Sequence, residues 1–491
     1  MKLGWLAVLV ALTTPSLADE PANETIWFLI STEAGIPIGH ASREIVPTTD
    51  GREVIDSQEL DEQDPGDSTP LTSHFDGPKD VTLSWRTARR EDATGHAVSI
   101  VSASKTGPDW RNDWWRNDAR IDGDKAEVTR QTPAETRTVT VALPPSVRFD
   151  EGDALLPTWN PAVTARLEFE NFNIDAMAVE RVVIEALPGA DPQGRTVALR
   201  KRYDGIWLVG VTRLSLDRGG QIVEADQPMF GTDLVIKTVN RETALHPDLS
   251  YRVLSNVMTK SPYRISTSAM HGHIRYRFSF RDGIEFPLPQ TGEQRVTAET
   301  GLATVDICET CGPGLPSDPA FLADALKATA WLQSDSAKLK DIVGPVMRMP
   351  VSDTDKMKVL AKMTRAFLGR LDFIGHYSAL ETLSRRAGDC TEASVLLAAL
   401  GRAAGIPTRV ANGLVYSRES YHGVSNVFMP HSWTLAWVDG RWRSFDAALD
   451  DFDATHIALS VGDGDERSLT AASQLAALLH WESMAEVRAP L

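Results

Sequence analysis

Hydrophobic and polar positions along this chain follow two periods in succession. Up to about residue 303, apolar residues alternate with polar ones over short runs, as in Val81-Thr82-Leu83-Ser84-Trp85 and Arg137-Thr138-Val139-Thr140-Val141-Ala142-Leu143. A period of two turns one face of an extended segment to a core and the other to water, so these runs predict strands. Asp50-Gly51, Asp122-Gly123 and Arg281-Asp282-Gly283 separate such runs, and residues of this kind accept the positive φ angles of tight hairpins. The expectation is an antiparallel β-rich domain over 19–303, with a possible division into two subdomains near 144–161.

Past Pro313 the period lengthens to that of helices. Ser317-Asp318-Pro319 is a helix-start signal before 320–332, and Ser352-Asp353-Thr354-Asp355 caps a helix with the stripe Met357, Leu360, Met363, Phe367, Leu371. A further helix runs over 389–404 and stops at Gly405-Ile406-Pro407, after which strands return over 408–416, 431–438 and 442–446. The fold class read from this order is α+β and multidomain: a β-rich N-terminal region, a linker over 304–317, and an α+β domain over 318–491.

Length agrees, since 491 residues exceed what one core usually supports. The net charge of −17 disfavours nucleic acid as a partner, because phosphate recognition needs clustered Lys and Arg. Lys2, the apolar run 3–12 and Ser16-Leu17-Ala18 before Asp19-Glu20 form a secretory-signal pattern, with cleavage expected after Ala18 and a periplasmic or secreted product. No later stretch is long and apolar enough for a membrane span. Asp109 to Asp118 nearly repeats a Trp-Arg-Asn-Asp unit. Its rings could stack on a ligand, or cover a sheet while the arginines pair with the aspartates.

Three cysteines in an exported chain leave one unpaired. Cys308 and Cys311 could form a local disulfide, join His271 and His273 on zinc, or act as a redox pair. Gly312-Pro313-Gly314 breaks the helix that a redox motif normally opens, and the zinc spacing matches no familiar finger. No metal site or cofactor motif is assigned. Cys390 is the remaining thiol, in Arg385-Arg386-Ala387-Gly388-Asp389-Cys390-Thr391-Glu392-Ala393. It falls in a first helical turn, where free N–H groups and the helix dipole favour a thiolate and could receive an oxyanion.

The next signal is a hairpin. Asp439-Gly440 is a two-residue turn that would pair Val438 with Arg441, Trp437 with Trp442 and Trp433 with Asp446. His431 then becomes the diagonal neighbour of Asp446 on one face, roughly 7–8 Å away at Cα. A one-residue slip would separate them. Thiol, imidazole and carboxylate in this order can serve as nucleophile, base and orienting group. Tyr421, His422 and Phe428 are candidates for lining the cleft, with His422 a rival base.

Gly388-Asp389-Cys390-Thr391-Glu392-Ala393, Ala404-Gly405-Ile406-Pro407-Thr408-Arg409-Val410, His431-Ser432-Trp433, Trp442 and Asp446 together resemble the core of the transglutaminase-like superfamily. Ala454-Thr455-His456-Ile457-Ala458-Leu459 is similar to the sequel in bacterial members. The resemblance implies a papain-like α+β domain with Cys390, His431 and Asp446 as catalytic triad, acting on a protein or peptide amide through a thioester. Hydrolysis is favoured over transfer to an amine. The alternative is a binding or assembly protein of the cell envelope built on an inactive core.

Overall fold

The structure is a computed structural model and describes residues 24–64, 79–106, 113–188, 194–229, 232–245, 259–369, 376–418, 425–449 and 451–487. The signal segment 1–18, Trp110, Tyr421 and His422 lie outside the described residues. The chain forms two compact units that divide at 256/257.

In the N-terminal unit the alternation becomes one antiparallel sheet of fourteen strands among the described residues. Strands pair with their chain neighbours from Pro37–Thr48 through Thr136–Ala142, and again from Arg166–Asn173 through Leu234–Val239. Glu24–Thr32 joins the two runs by pairing with Pro37–Thr48 on one side and Leu234–Val239 on the other. The period of two is visible in Lys125–Gln131, where Ala126, Val128 and Arg130 are buried between more exposed neighbours. In the tryptophan-rich segment, Arg116 pairs with Asp118 through two 2.7 Å hydrogen bonds and Arg130 covers the Trp115 ring at 5.2 Å.

The segment 144–165 connects the two edge strands of one continuous sheet and is bonded to strands on both sides of its middle, so it does not separate subdomains. Its Asp153 is buried, bonded by Arg200 and facing Arg43 at 3.8 Å, while Arg89 donates to the Phe149 carbonyl at 2.6 Å. Those arginines stand on Pro37–Thr48, Lys79–Asp92 and Thr196–Asp204, strands well apart in the sheet order. The sheet therefore curves around the segment that joins its edges.

The C-terminal unit begins earlier than the sequence reading placed it. Strands Ile274–Phe280, Gln294–Glu299 and Leu302–Ile307 form a sheet with Leu479–Glu486, so 257–317 belongs with the C-terminal half. Cys308 and Cys311 are bridged by a disulfide at the end of this sheet, and His273 bonds Asp306 at 2.6 Å. The helix expected over 320–332 is shorter, Pro319–Asp324. The Thr329 hydroxyl then accepts the Trp331 and Leu332 N–H groups in a turn. The capped helix Asp353–Phe367 packs its stripe of Met357 and Leu360 against the helix Cys390–Ala403. Behind that helix stands a second sheet, ordered Thr259–Lys260, Val427–Val438, Thr408–Ser417, Ile457–Gly462, with Arg441–Phe445 on the free side of Val427–Val438. The unit is thus α+β, and the helix Cys390–Ala403 is buried along nearly its whole length between other helices and this sheet. No helix among the described residues is long and apolar enough to cross a membrane.

Candidate active site

Cys390 is the first residue of its helix, because the turn before it is fixed by short-range chemistry. Asp389 is the N-cap and accepts the Thr391 N–H at 2.8 Å, while Glu392 reaches back to the Asp389 N–H at 3.0 Å, a reciprocal capping box. Gly388 makes this closure possible: a Cβ there would lie 2.4 Å from the Cβ of Glu392. Cys390 is half-buried, and its thiol takes a hydrogen bond from the N–H of Ser432, the residue next to His431.

The hairpin register is the one the Asp439-Gly440 turn dictates. Val438 pairs with Arg441 and Trp437 with Trp442, and pairing runs to Thr434 and Phe445. Asp446, one residue past Phe445, meets His431, three residues before Thr434, at 2.6 Å between Oδ2 and Nε2 with both side chains buried. Asp446 Oδ1 accepts the Ala448 and Leu449 N–H groups at 2.6 and 2.9 Å. The opposite ring nitrogen, His431 Nδ1, is buried without a hydrogen-bond partner. A neutral ring donating from Nε2 leaves Nδ1 as a free acceptor.

A second histidine shares the same carboxylate, and the sequence reading gave it no role. His456 Nε2 lies 3.1 Å from Asp446 Oδ2, and its Nδ1 lies 3.1 Å from Asp453 Oδ1. Gly413 brings it there: opposite His431 in the register, it sits at an irregularity where a Cβ would fall 1.9 Å from the Ile457 carbonyl oxygen. In the sequence His456 stands within the segment 454–459 that resembles bacterial members, with nothing there to link it to Asp446.

Burial alone would raise the Asp446 carboxyl, but the hydrogen bonds of His431 and His456 and the positive charge of His456 hold it well below the usual range. Burial alone would lower His456, yet its bonds to Asp446 and Asp453 push it up to about 9. Cys390 departs from the expectation for a helix start. Burial, then the Asp389 carboxylate, push its thiol well above the ordinary value, against the Ser432 N–H. The cap that builds the turn also places an anion beside the sulfur.

His431, Asp446 and His456 offer three donor atoms within 4.8 Å of one another. Two of them are 2.6 Å apart, which on zinc bonds of about 2.0–2.2 Å would close the angle to near 80°, far below tetrahedral. The spacing suits a proton between the groups better than a metal ion. Behind Asp446 runs a cleft of about 620 Å³ whose walls carry Lys358, Lys362, Arg365, Arg441 and Arg443. Neither Cys390 nor His431 lines it. Phe428, expected at a cleft wall, is instead fully buried against Tyr276, Tyr416 and Trp481, because its position in the strand points it into an aromatic cluster.

Among solved structures the chain is similar to a candidate cysteine protease from Cytophaga hutchinsonii at 17% identity, covering 45% of this chain and 90% of that one, with a TM-score of 0.30. It is also similar to a β-barrel-like protein of a domain family of unknown function from Brucella abortus, at 14% identity over 44% of this chain and 96% of that one, TM-score 0.33. A candidate protease from Parabacteroides distasonis matches at 11% identity over 76% and 69%, TM-score 0.19. Likenesses of this degree say nothing of chemistry. A search of curated protein sequences finds no match. The profile of the transglutaminase-like superfamily matches residues 344–447, and the segment that carries Cys390, His431 and Asp446 belongs to that superfamily.

Proposed function

We propose that this protein is an exported cysteine enzyme that opens amide bonds of a protein or peptide, with water as the final acceptor. The observation that carries the reading is the state of His431. One ring nitrogen is held 2.6 Å from a buried carboxylate, and the other is buried and free of partners beside the strand residue that touches Cys390. An imidazole fixed in that tautomer accepts a proton at Nδ1.

The thiol is not a thiolate by itself, so its proton has to leave during attack. His431 Nδ1 takes it as the sulfur bonds to the carbonyl carbon, and Asp446 stabilises the imidazolium. The oxyanion meets the Cys390 N–H, since Asp389 already caps the Thr391 and Glu392 N–H groups. His431 then protonates the leaving amine, the thioester forms, and water attacks it with His431 again as base.

Incubating the protein with a peptide library and a labelled primary amine tests this. New peptide termini that vanish in Cys390→Ala are expected. Incorporated amine instead would make the protein a transferase. Equal behaviour of Cys390→Ala and the parent in both readouts would remove catalysis and leave a binding role.

A further inference from the structure

Asp446 holds two histidines, and the proposed reaction uses one. His456 is 1% exposed, at the entry to the strand Ile457–Gly462. Both of its ring nitrogens face oxygens: Nε2 lies 3.1 Å from Asp446 Oδ2, and Nδ1 lies 3.1 Å from Asp453 Oδ1 and 3.2 Å from the Asp453 carbonyl. One donor, the Asp453 N–H at 3.2 Å, also points at Nδ1. A carboxylate oxygen 3.1 Å from each nitrogen favours donation from both, which only imidazolium can do, over the neutral ring whose Nδ1 would accept the longer Asp453 N–H bond. Trp433 at 5.2 Å and Phe452 at 4.7 Å between ring centroids enclose it.

We propose that His456 is a positioning residue: a fixed imidazolium that offsets the charge of Asp446 and thereby sets the proton affinities of the Cys390–His431 pair. The inference rests on the thiol-enzyme reading above. Without this cation, Asp446 would strengthen His431 as a base and oppose a thiolate, as Asp389 already does. With it, the carboxylate still fixes the His431 ring but carries little net field. The His431 and His456 ring centroids are 5.5 Å apart, at 67°, near enough for the charge on one to act on the other.

The ionisable groups around His456 come from several elements. Asp446 follows the hairpin strand, Asp453 lies in the connecting loop, His431 is on Val427–Val438, and Cys390 with Asp389 sits at the helix start. From the neighbouring sheet, Tyr276 donates its phenol proton to the Ala454 carbonyl, and burial keeps that phenol neutral. Glu293 is bonded to Ser444 on the far side of Asp446.

Removing a fixed positive charge raises both macroscopic constants of the pair, whichever proton leaves first. At 5.5 Å and an effective dielectric near 20 the shift reaches about 2 pH units.

Because Cys308 and Cys311 are bridged, Cys390 is the single free thiol, so its alkylation by iodoacetamide can be followed without a substrate. The rate is measured from about pH 4 to pH 10 on the full chain, for the parent and His456→Gln. The expected parent profile has two inflections, and both rise by about 1–2 units in His456→Gln. Unmoved inflections overturn the inference while the proposed function stands. A parent profile with the single inflection of an ordinary thiol, about 8.5, overturns the proposed function itself. Should His456→Gln not fold, histidine ¹⁵N shifts of the parent near neutral pH decide the matter. His456 protonated on both nitrogens beside a neutral His431 is expected, and a neutral His456 overturns the inference.

Discussion

Each unit of this protein buries charge, and the two clusters differ in how they close. In the N-terminal unit, Arg200 meets Asp153 and Glu151, Arg43 meets Asp56 and Asp153, and Arg148 pairs with Asp150 through two 2.8 Å hydrogen bonds. Each charge there faces an opposite one, although Asp153 Oδ2 and Arg200 Nε keep no hydrogen bond, and the cluster ties the segment 144–165 to distant strands. In the C-terminal unit Asp446 is as thoroughly bonded, by two imidazoles and two backbone N–H groups. Yet the network ends on His431 Nδ1, which has no hydrogen-bond partner. Closed networks hold a fold. A network that stops at an open acceptor is the kind the proposed proton transfer needs.

The largest effects should come from the open end. His431→Ala removes the base of the proposed reaction, and turnover should fall by about 10³-fold or more with the fold unchanged by circular dichroism. Asp446→Asn should cost about 10²–10⁴-fold in kcat, because an amide donating to Nε2 moves the ring proton to Nδ1 and closes the acceptor. A loss below tenfold in either variant would place these residues with the structural cluster.

The closed cluster should answer in stability instead. Asp153→Ala leaves Arg200 with Glu151 and Arg43 with Asp56 but takes away the carboxylate both buried arginines share, so denaturant unfolding of the N-terminal unit should lose about 1–3 kcal/mol. Replacing Asp153 and Arg200 together with leucine and methionine should restore most of that loss, as apolar substitutes often do for a buried pair. Cys390 alkylation should be the same in all three proteins. If it changes, the two clusters are not separable and the contrast fails.

Local chemistry in the sequence carried the site further than it carried the domain boundary. Asp439-Gly440 fixes a register by itself, and from it the shared face of His431 and Asp446 follows before any coordinates. Asp389 and Glu392 likewise announce the helix start. The boundary was misread because the strands Ile274–Phe280 and Leu302–Ile307 alternate like those before them, while their partner Leu479–Glu486 closes the sheet from the far end of the chain. The segment 144–165 read as a divider because prolines mark it, and only folding shows three strands bonding to its backbone and acids. His456 was missed for a related reason: it reaches Asp446 through the irregular pairing at Gly413, which no spacing in the sequence records. The thiol was expected to be acidic from its helix position, and the capping carboxylate and burial reversed that sign.

The smallest effect lies in the alkaline stability of the C-terminal unit. His456 is raised from an ordinary value near 6.5 to about 9 by Asp446 and Asp453. A group whose folded value is raised holds its proton longer in the native state. Its stabilisation is therefore complete below about pH 6.5 and disappears as the pH climbs through about 9. Asp446 and Asp453 are lowered, so their contribution runs the other way, present above the ordinary carboxylate value and lost in acid. Urea unfolding of the parent should thus lose about 1–3 kcal/mol between about pH 6.5 and pH 10. In His456→Gln that alkaline loss should shrink to what the remaining groups produce, while the acid limb stays, because Asp446 keeps His431 and its two backbone donors. An alkaline limb of equal size in both proteins would mean that His456 is neutral in the native state, and the second imidazole would then belong with the closed, structural kind of cluster.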